Sequence, residues 1–299
     1  MTGFLQLLSK IVFGALEREA FVELMKWIES LYREQESDPQ LRFILEKHLI
    51  WAMKLWKILN KWLRIVYFVL ALLSAVCMRP NSTAGLVVKI PFLGDQSEIS
   101  YILQIILFSM IGLLLFVVDF AIFFVGFHIM VALNILNDFI KILHEKIVEI
   151  PHFLSIVVKR HCDIIQSIDL LNKIIEKISF VQILTSVTLL ITLFASMRTE
   201  RFQVLSYILC LFVMGQTLVF CVFGEFIKHK TERLSTTLYL TNWYELSLRD
   251  QKTFLLILRM SQREYGLKAA GMYELNIYLF IQIIKVAFSY CAILYALSE

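Results

Sequence analysis

Five stretches of the chain are apolar for about the length that a helix needs to cross a bilayer core, and this constrains the fold more than any other feature. A hydrocarbon layer about 30 Å thick takes about 20 helical residues. The runs cover about 62–78, 102–133, 178–197, 202–223 and 272–297. At 1.5 Å per residue the second would reach about 48 Å, so it must tilt or continue out of the bilayer as a helical extension. All four prolines, Pro39, Pro80, Pro91 and Pro151, fall outside the runs, where a missing N–H and a fixed φ suit loops and helix starts. Composition agrees: 59% of residues are hydrophobic and 18% charged, too apolar and too weakly charged for an ordinary soluble surface. The expected fold is an all-α membrane protein, a bundle of about five transmembrane helices, with helical regions 1–61, 134–177 and 224–271 on the cytoplasmic side.

Orientation follows from Lys and Arg, which concentrate in cytoplasmic loops. Residues 1–64 hold ten, 79–101 two, 134–177 six, 198–201 two and 225–270 eight. The N-terminus is therefore expected inside and the C-terminus outside, the reverse of G-protein-coupled receptors, whose Asp-Arg-Tyr helix end is also missing. Asn81-Ser82-Thr83 is an N-glycosylation acceptor in the first outside loop. Within the inside regions Ile164, Ile168, Leu171 and Ile175 recur at helical spacing, and residues 244–263 mix apolar and charged positions in the same way. Both imply packed helices beneath the membrane. The basic residues form no stripe of the kind that binds nucleic acid.

Catalysis and metal binding find no support. Cys77, Cys162, Cys210, Cys221 and Cys291 are scattered without a C-x-x-C pair, and the six histidines form no H-E-x-x-H or triad-like set. Free thiols and no cofactor are expected. A transporter would more often show broken spans in two related halves. Asp119 and Lys285 fall inside apolar runs at similar depth, about 24 and 18 Å from the outer helix ends. Either they pair, or each sits at the inner boundary with Lys285 snorkelling and Asp119 hydrated, which is the preferred reading.

The last third reads Phe223-Gly224-Glu225, Tyr239, Trp243-Tyr244, Arg259-Met260-Ser261-Gln262-Arg263, Leu267, Gly271, Lys285 and Ser289-Tyr290. In this order it resembles the insect odorant receptors, and Phe21, Leu24, Trp27, Tyr32 and Asp38-Pro39 resemble an earlier loop of that family. Gustatory receptors, the nearest alternative, carry Thr-Tyr followed by Gln-Phe in the last helix, whereas Ala296-Leu297 follows here. Family members have seven spans, so the resemblance implies a chain that begins near the end of the second helix; a non-functional fragment is the competing reading.

The resemblance implies a subunit of a hetero-tetrameric cation channel, formed with an odorant co-receptor in the plasma membrane of olfactory sensory neurons and opened by volatile small molecules. It places an apolar gate at Ile293 and Leu297 on the last helix. It puts an odorant pocket in the outer half of the membrane, with Leu73, Cys77, Leu107, Phe108, Ile111, Tyr207 and Leu211 as contacts, Tyr207 supplying a polar handle. Trp243, Tyr244, Arg259 and Arg263 would pack where subunits meet. For each of these residues an ordinary lipid-facing or core role competes.

Overall fold

A helix that buries one apolar stripe continues for as long as the stripe does, and here four helices run far beyond a bilayer. The computed structural model describes residues 2–34, 36–77, 97–150, 152–196, 203–263 and 265–296. In chain order α1 is Thr2–Leu16, α2 Arg18–Arg33, α3 Pro39–Cys77, α4 Ser97–Lys141, α5 Leu143–Glu149, α6 Phe153–Ser196, α7 Gln203–Tyr239, α8 Leu248–Ser261 and α9 Ile277–Ala296. The four long helices have 39, 45, 44 and 37 residues, or about 56 to 68 Å at the helical rise. Extension past the membrane, expected for the second span alone, thus belongs to α3, α6 and α7 as well. Among the described residues Ile105–Lys141, Phe153–Ala195 and Ser206–Tyr239 are long and apolar enough to span; Leu5–Leu16 and Ile277–Ile293 are shorter apolar helices.

Packing differs between the two halves of the bundle. The large core joins Leu24, Leu41, Ile129, Leu136, Phe139, Phe153, Ile168, Ile175, Ile227 and Phe254, all in the half that also holds α2, α5 and α8. In the other half, among the described residues, the buried apolar cluster is small and consists of Leu190, Cys210, Val213, Ile283 and Ala287. Water drives apolar side chains together, whereas lipid is as apolar as leucine and does not. The first half therefore packs like a soluble bundle, and the second leaves Ile102, Leu103, Ile106, Leu113 and Leu114 exposed.

Local signals end and tie these helices. Asp38 caps α3 by accepting from the N–H groups of Gln40 and Leu41 at 2.9 and 3.1 Å, and Pro39 follows at the first helical position, where its missing N–H costs nothing. The other Asp38 oxygen accepts from Lys146 at 3.0 Å, and Lys146 also reaches Glu149 at 2.6 Å. Arg160 clamps Glu34 and Glu36 at 3.0 and 2.6 Å while stacking over Phe139. Ser247 caps α8, accepting from the Asp250 N–H. The α8 stripe buries Phe254, Ile257, Leu258 and Ser261.

One element departs from an all-helical plan. Lys268–Ala269 (β1) and Tyr273–Glu274 (β2) form a small antiparallel hairpin, with Ala270 and Gly271 both at positive φ in its loop. Ala270 donates to the Glu176 carbonyl of α6, which holds the hairpin beneath the start of α9.

Candidate functional site

Two features stand out where the apolar halves meet the packed halves: a buried polar core and the footing of α9.

The polar core begins with Lys10 on α1, which is 1% exposed. Its ammonium donates to Asp119 on α4 at 2.5 Å and lies 5.6 Å from the Phe220 ring centroid. Gln216 on α7 donates to the second Asp119 oxygen at 2.7 Å. Both carboxylate oxygens are thus occupied, as a charge away from water requires. One helical turn away, Gln6 donates to the side-chain oxygen of Gln182 on α6. Thr217 donates to Ser186 at 3.1 Å. Four helices therefore share one belt of polar contacts.

This corrects two expectations. Asp119 does not meet Lys285, which is exposed on α9; nor is it hydrated, being 8% exposed. Its partner lies in α1, which packs against α4 and α6 beside Asp119 and Gln182. The signal was present, because Leu5, Leu7, Leu8, Ile11 and Val12 surround Lys10, but 15 residues are too few to be counted as a span.

The footing explains the Phe223-Gly224-Glu225 run. Phe223 presses on Gly126, where any Cβ would collide with its ring, and a Cβ on Gly224 would strike the Leu275 carbonyl. Glu225 accepts from the Ile277 N–H at 3.4 Å, and Asn276 accepts from the Leu279 N–H at 2.8 Å. Both place negative charge or an acceptor at the positive end of α9. Lys228 reaches Glu274 of the hairpin at 2.9 Å. Small, acidic and basic residues of α7 together grip the start of α9.

From that grip α9 buries Ile283 and Ala287 against α6 and α7. The opposite face carries Tyr278, Gln282, Lys285, Ser289 and Ile293, spaced by four, three, four and four residues and so on one line. Ile293 is 54% exposed.

Of the other sequence candidates, Leu107, Tyr207 and Leu211 are exposed, at 54, 50 and 71%, and Ile111 is half-buried. Leu73, Cys77 and Phe108 lie in described helices, but their side chains are outside the described residues, as are Asn81 and Leu297 altogether. Trp243 stacks on Phe254 with ring centroids 6.3 Å apart and 8° between planes. Tyr244 lies edge-on to Trp243, with ring centroids 6.4 Å apart, and Tyr244, Arg259 and Arg263 are exposed. Among the described residues the cysteines are free, and no group of His, Cys, Asp and Glu has metal-binding geometry.

Comparison with known proteins gives three findings. A family model described as 7tm Odorant receptor matches residues 1–288. Odorant receptor Or1 of Anopheles gambiae is 22% identical over 145 residues, which is 46% of this chain and 35% of that protein; the match spans about a third of the curated relative's length. The insect olfactory receptor OR5 from Machilis hrabei in complex with eugenol superposes with a TM-score of 0.66 at 11% identity, over 99% of this chain and 87% of that chain. A second structure of that receptor gives 0.64 at 13%, over 97% and 79%.

Proposed function

The chain belongs to the 7tm odorant receptor family, and from this premise we propose that it is an odour-binding subunit of a cation channel, assembled as a hetero-tetramer with an odorant co-receptor in the plasma membrane of olfactory sensory neurons. The observation that carries the channel reading is the free face of α9. Lys285 and Ser289 are exposed and Gln282 is half-buried on the face turned from the subunit's own bundle. In lipid such a polar stripe is costly, and intramembrane charges normally face protein or water. Four copies around an axis would let the stripe line an aqueous path. Where the stripe turns apolar, at Ile293, and at Leu297 as the resemblance implies, a ring of such side chains closes the path by dewetting.

Volatile, poorly hydrated molecules suit a pocket walled by Leu73, Cys77, Leu107, Phe108, Ile111 and Leu211, with the Tyr207 hydroxyl to orient a polar group. The structural relative solved with eugenol, a small aromatic phenol, supports that ligand class. The exposed Leu107, Tyr207 and Leu211 then need neighbouring elements to enclose them. Trp243, Tyr244, Arg259 and Arg263 form the subunit contact on the cytoplasmic side, and Asn81 carries glycan outside.

The test is whole-cell current in cells expressing this chain with and without a co-receptor, screened against a broad volatile panel. A cation current that needs both chains and an odour is expected. Ile293→Thr should then raise the odour-independent leak. Currents identical with the co-receptor alone would overturn the proposal.

A further inference from the structure

We propose that the outward face of α3 binds the anionic headgroups of phospholipids in the cytoplasmic leaflet. The surface consists of Lys54, Lys57, Lys61 and Arg64, spaced by three, four and three residues and therefore on one side of the helix. All four are exposed. None of them meets a carboxylate among the described residues; Arg64 donates to the Asn60 carbonyl at 3.3 Å, within its own helix. The sequence adds that no acidic residue occurs between Glu46 and Asp95. Four cations thus stand without counter-charge on a helix whose other residues are mostly apolar.

Their depth is fixed by the packing of α3 on α4, which runs antiparallel to it. Trp56 lies against Phe120 and Phe124, with ring centroids 4.6 and 4.8 Å away. Further along, Tyr67 lies 5.6 Å from Phe116 and donates its hydroxyl to the Ser109 carbonyl. Residues 54–64 therefore flank 116–126, the level of the buried Lys10–Asp119–Gln216 belt. Toward the outside both helices become continuously apolar; toward the inside the soluble-type core begins. This level is the boundary of the hydrocarbon layer.

Side chains between the cations fit that boundary. Ile58, Leu59, Trp62 and Ile65 are 54, 38, 62 and 44% exposed. Interleaved aliphatic, tryptophan and lysine side chains are what an interfacial surface needs: apolar groups enter the acyl boundary and cations reach the phosphates. A soluble acidic protein would be a poor occupant, because at this depth the chain faces lipid. The negative potential of the cytoplasmic leaflet supplies the complementary charge within a Debye length. The inference needs the chain to span the membrane with its N-terminal side in the cytoplasm, and is independent of odour binding or channel assembly.

The full chain is reconstituted in phosphatidylcholine vesicles containing a trace of spin-labelled phosphatidylserine or, separately, spin-labelled phosphatidylcholine, and the motionally restricted fraction of each is read by electron paramagnetic resonance. The native chain should favour phosphatidylserine by roughly threefold or more, falling toward parity as salt rises through about 0.5 M. Joint substitution Lys54→Gln, Lys57→Gln, Lys61→Gln and Arg64→Gln should abolish the preference, while Lys26→Gln with Lys252→Gln leaves it intact. Equal restriction of the two lipids by the native chain overturns the proposal, as does a preference that survives the fourfold substitution. If that variant fails to fold, the salt series on the native chain decides, and a salt-independent preference counts against the site.

Discussion

Asp119 illustrates what a single residue discloses and conceals. Its position in an apolar run marks it as a charge needing a partner or water; depth offers Lys285 as the partner, and hydration at the inner boundary is the reading the sequence favours. The true partner, Lys10, was hidden because α1 is short and carries no second clue to its height in the bundle. Removing one member of a buried pair leaves the other uncompensated, at a cost of about 3–5 kcal/mol, while removing both with apolar replacements costs much less. Lys10→Met and Asp119→Leu should therefore each sharply lower the thermal midpoint of the purified chain, and the double substitution should recover much of the loss. Additive losses in this double-mutant cycle would mean that the two charges act separately. The proposed pocket residues are legible only as a depth band: Leu107 and Tyr207 share no periodic signature that separates a ligand wall from a lipid face.

At the scale of elements, the long helices were readable from hydropathy and the hairpin was not. Two-residue strands are too short to show alternation, and the turn at Ala270-Gly271 carries only one glycine as a hint. The grip on α9 was visible as the Phe-Gly-Glu run, but its cause appeared only with the close approach of Leu275 to Gly224. Gly224→Ala should push α9 from its seat and destabilise the chain by about 1–3 kcal/mol, with amide exchange accelerated at residues 275–280 first. Unchanged exchange there would refute the role of the close contact.

The α2–α3 corner yields a pH prediction. The Lys146 ammonium, hydrogen-bonded to Asp38, holds that carboxyl below the usual aspartate range, with the Leu41 and Gln40 N–H groups adding to the effect. Glu149 and then Asp38 push the Lys146 ammonium above the usual lysine range. A lowered acid stabilises fully above its unfolded value and loses that contribution as pH falls through the folded one; a raised base does so until pH climbs through its folded value. Protection of the first turn of α3 should be level from about pH 6 to 9 and fall below about pH 4. Asp38→Asn should remove the acid-side fall, as followed by hydrogen exchange.

For the whole molecule, apolar content and the alternation of basic loops were enough to indicate a membrane bundle with a packed region on one side. What they did not disclose is how continuously α3, α4, α6 and α7 join the two regions, since hydropathy falls where each helix leaves lipid although the helix itself does not end. Near the packed end Leu240, Tyr244 and Leu248 are 73, 61 and 79% exposed, a surface suited to another subunit. In the proposed hetero-tetramer, Leu248→Asp should weaken association with the co-receptor by on the order of 2 kcal/mol, seen as loss of the tetramer peak in size exclusion with helicity retained. An unaltered tetramer would move the contact elsewhere.

The seat of α9 has a mechanical consequence. Clamped at Asn276 and Glu225, the helix packs on α6 and α7 through Ile283 and Ala287 and leaves Ile293 exposed beyond them. Ile293 lies roughly 25 Å from the clamp, so a tilt of about 5° there carries it about 2 Å sideways. A small rearrangement at the base is thus magnified at Ile293, where the proposed pore would be narrow enough for 2 Å to matter.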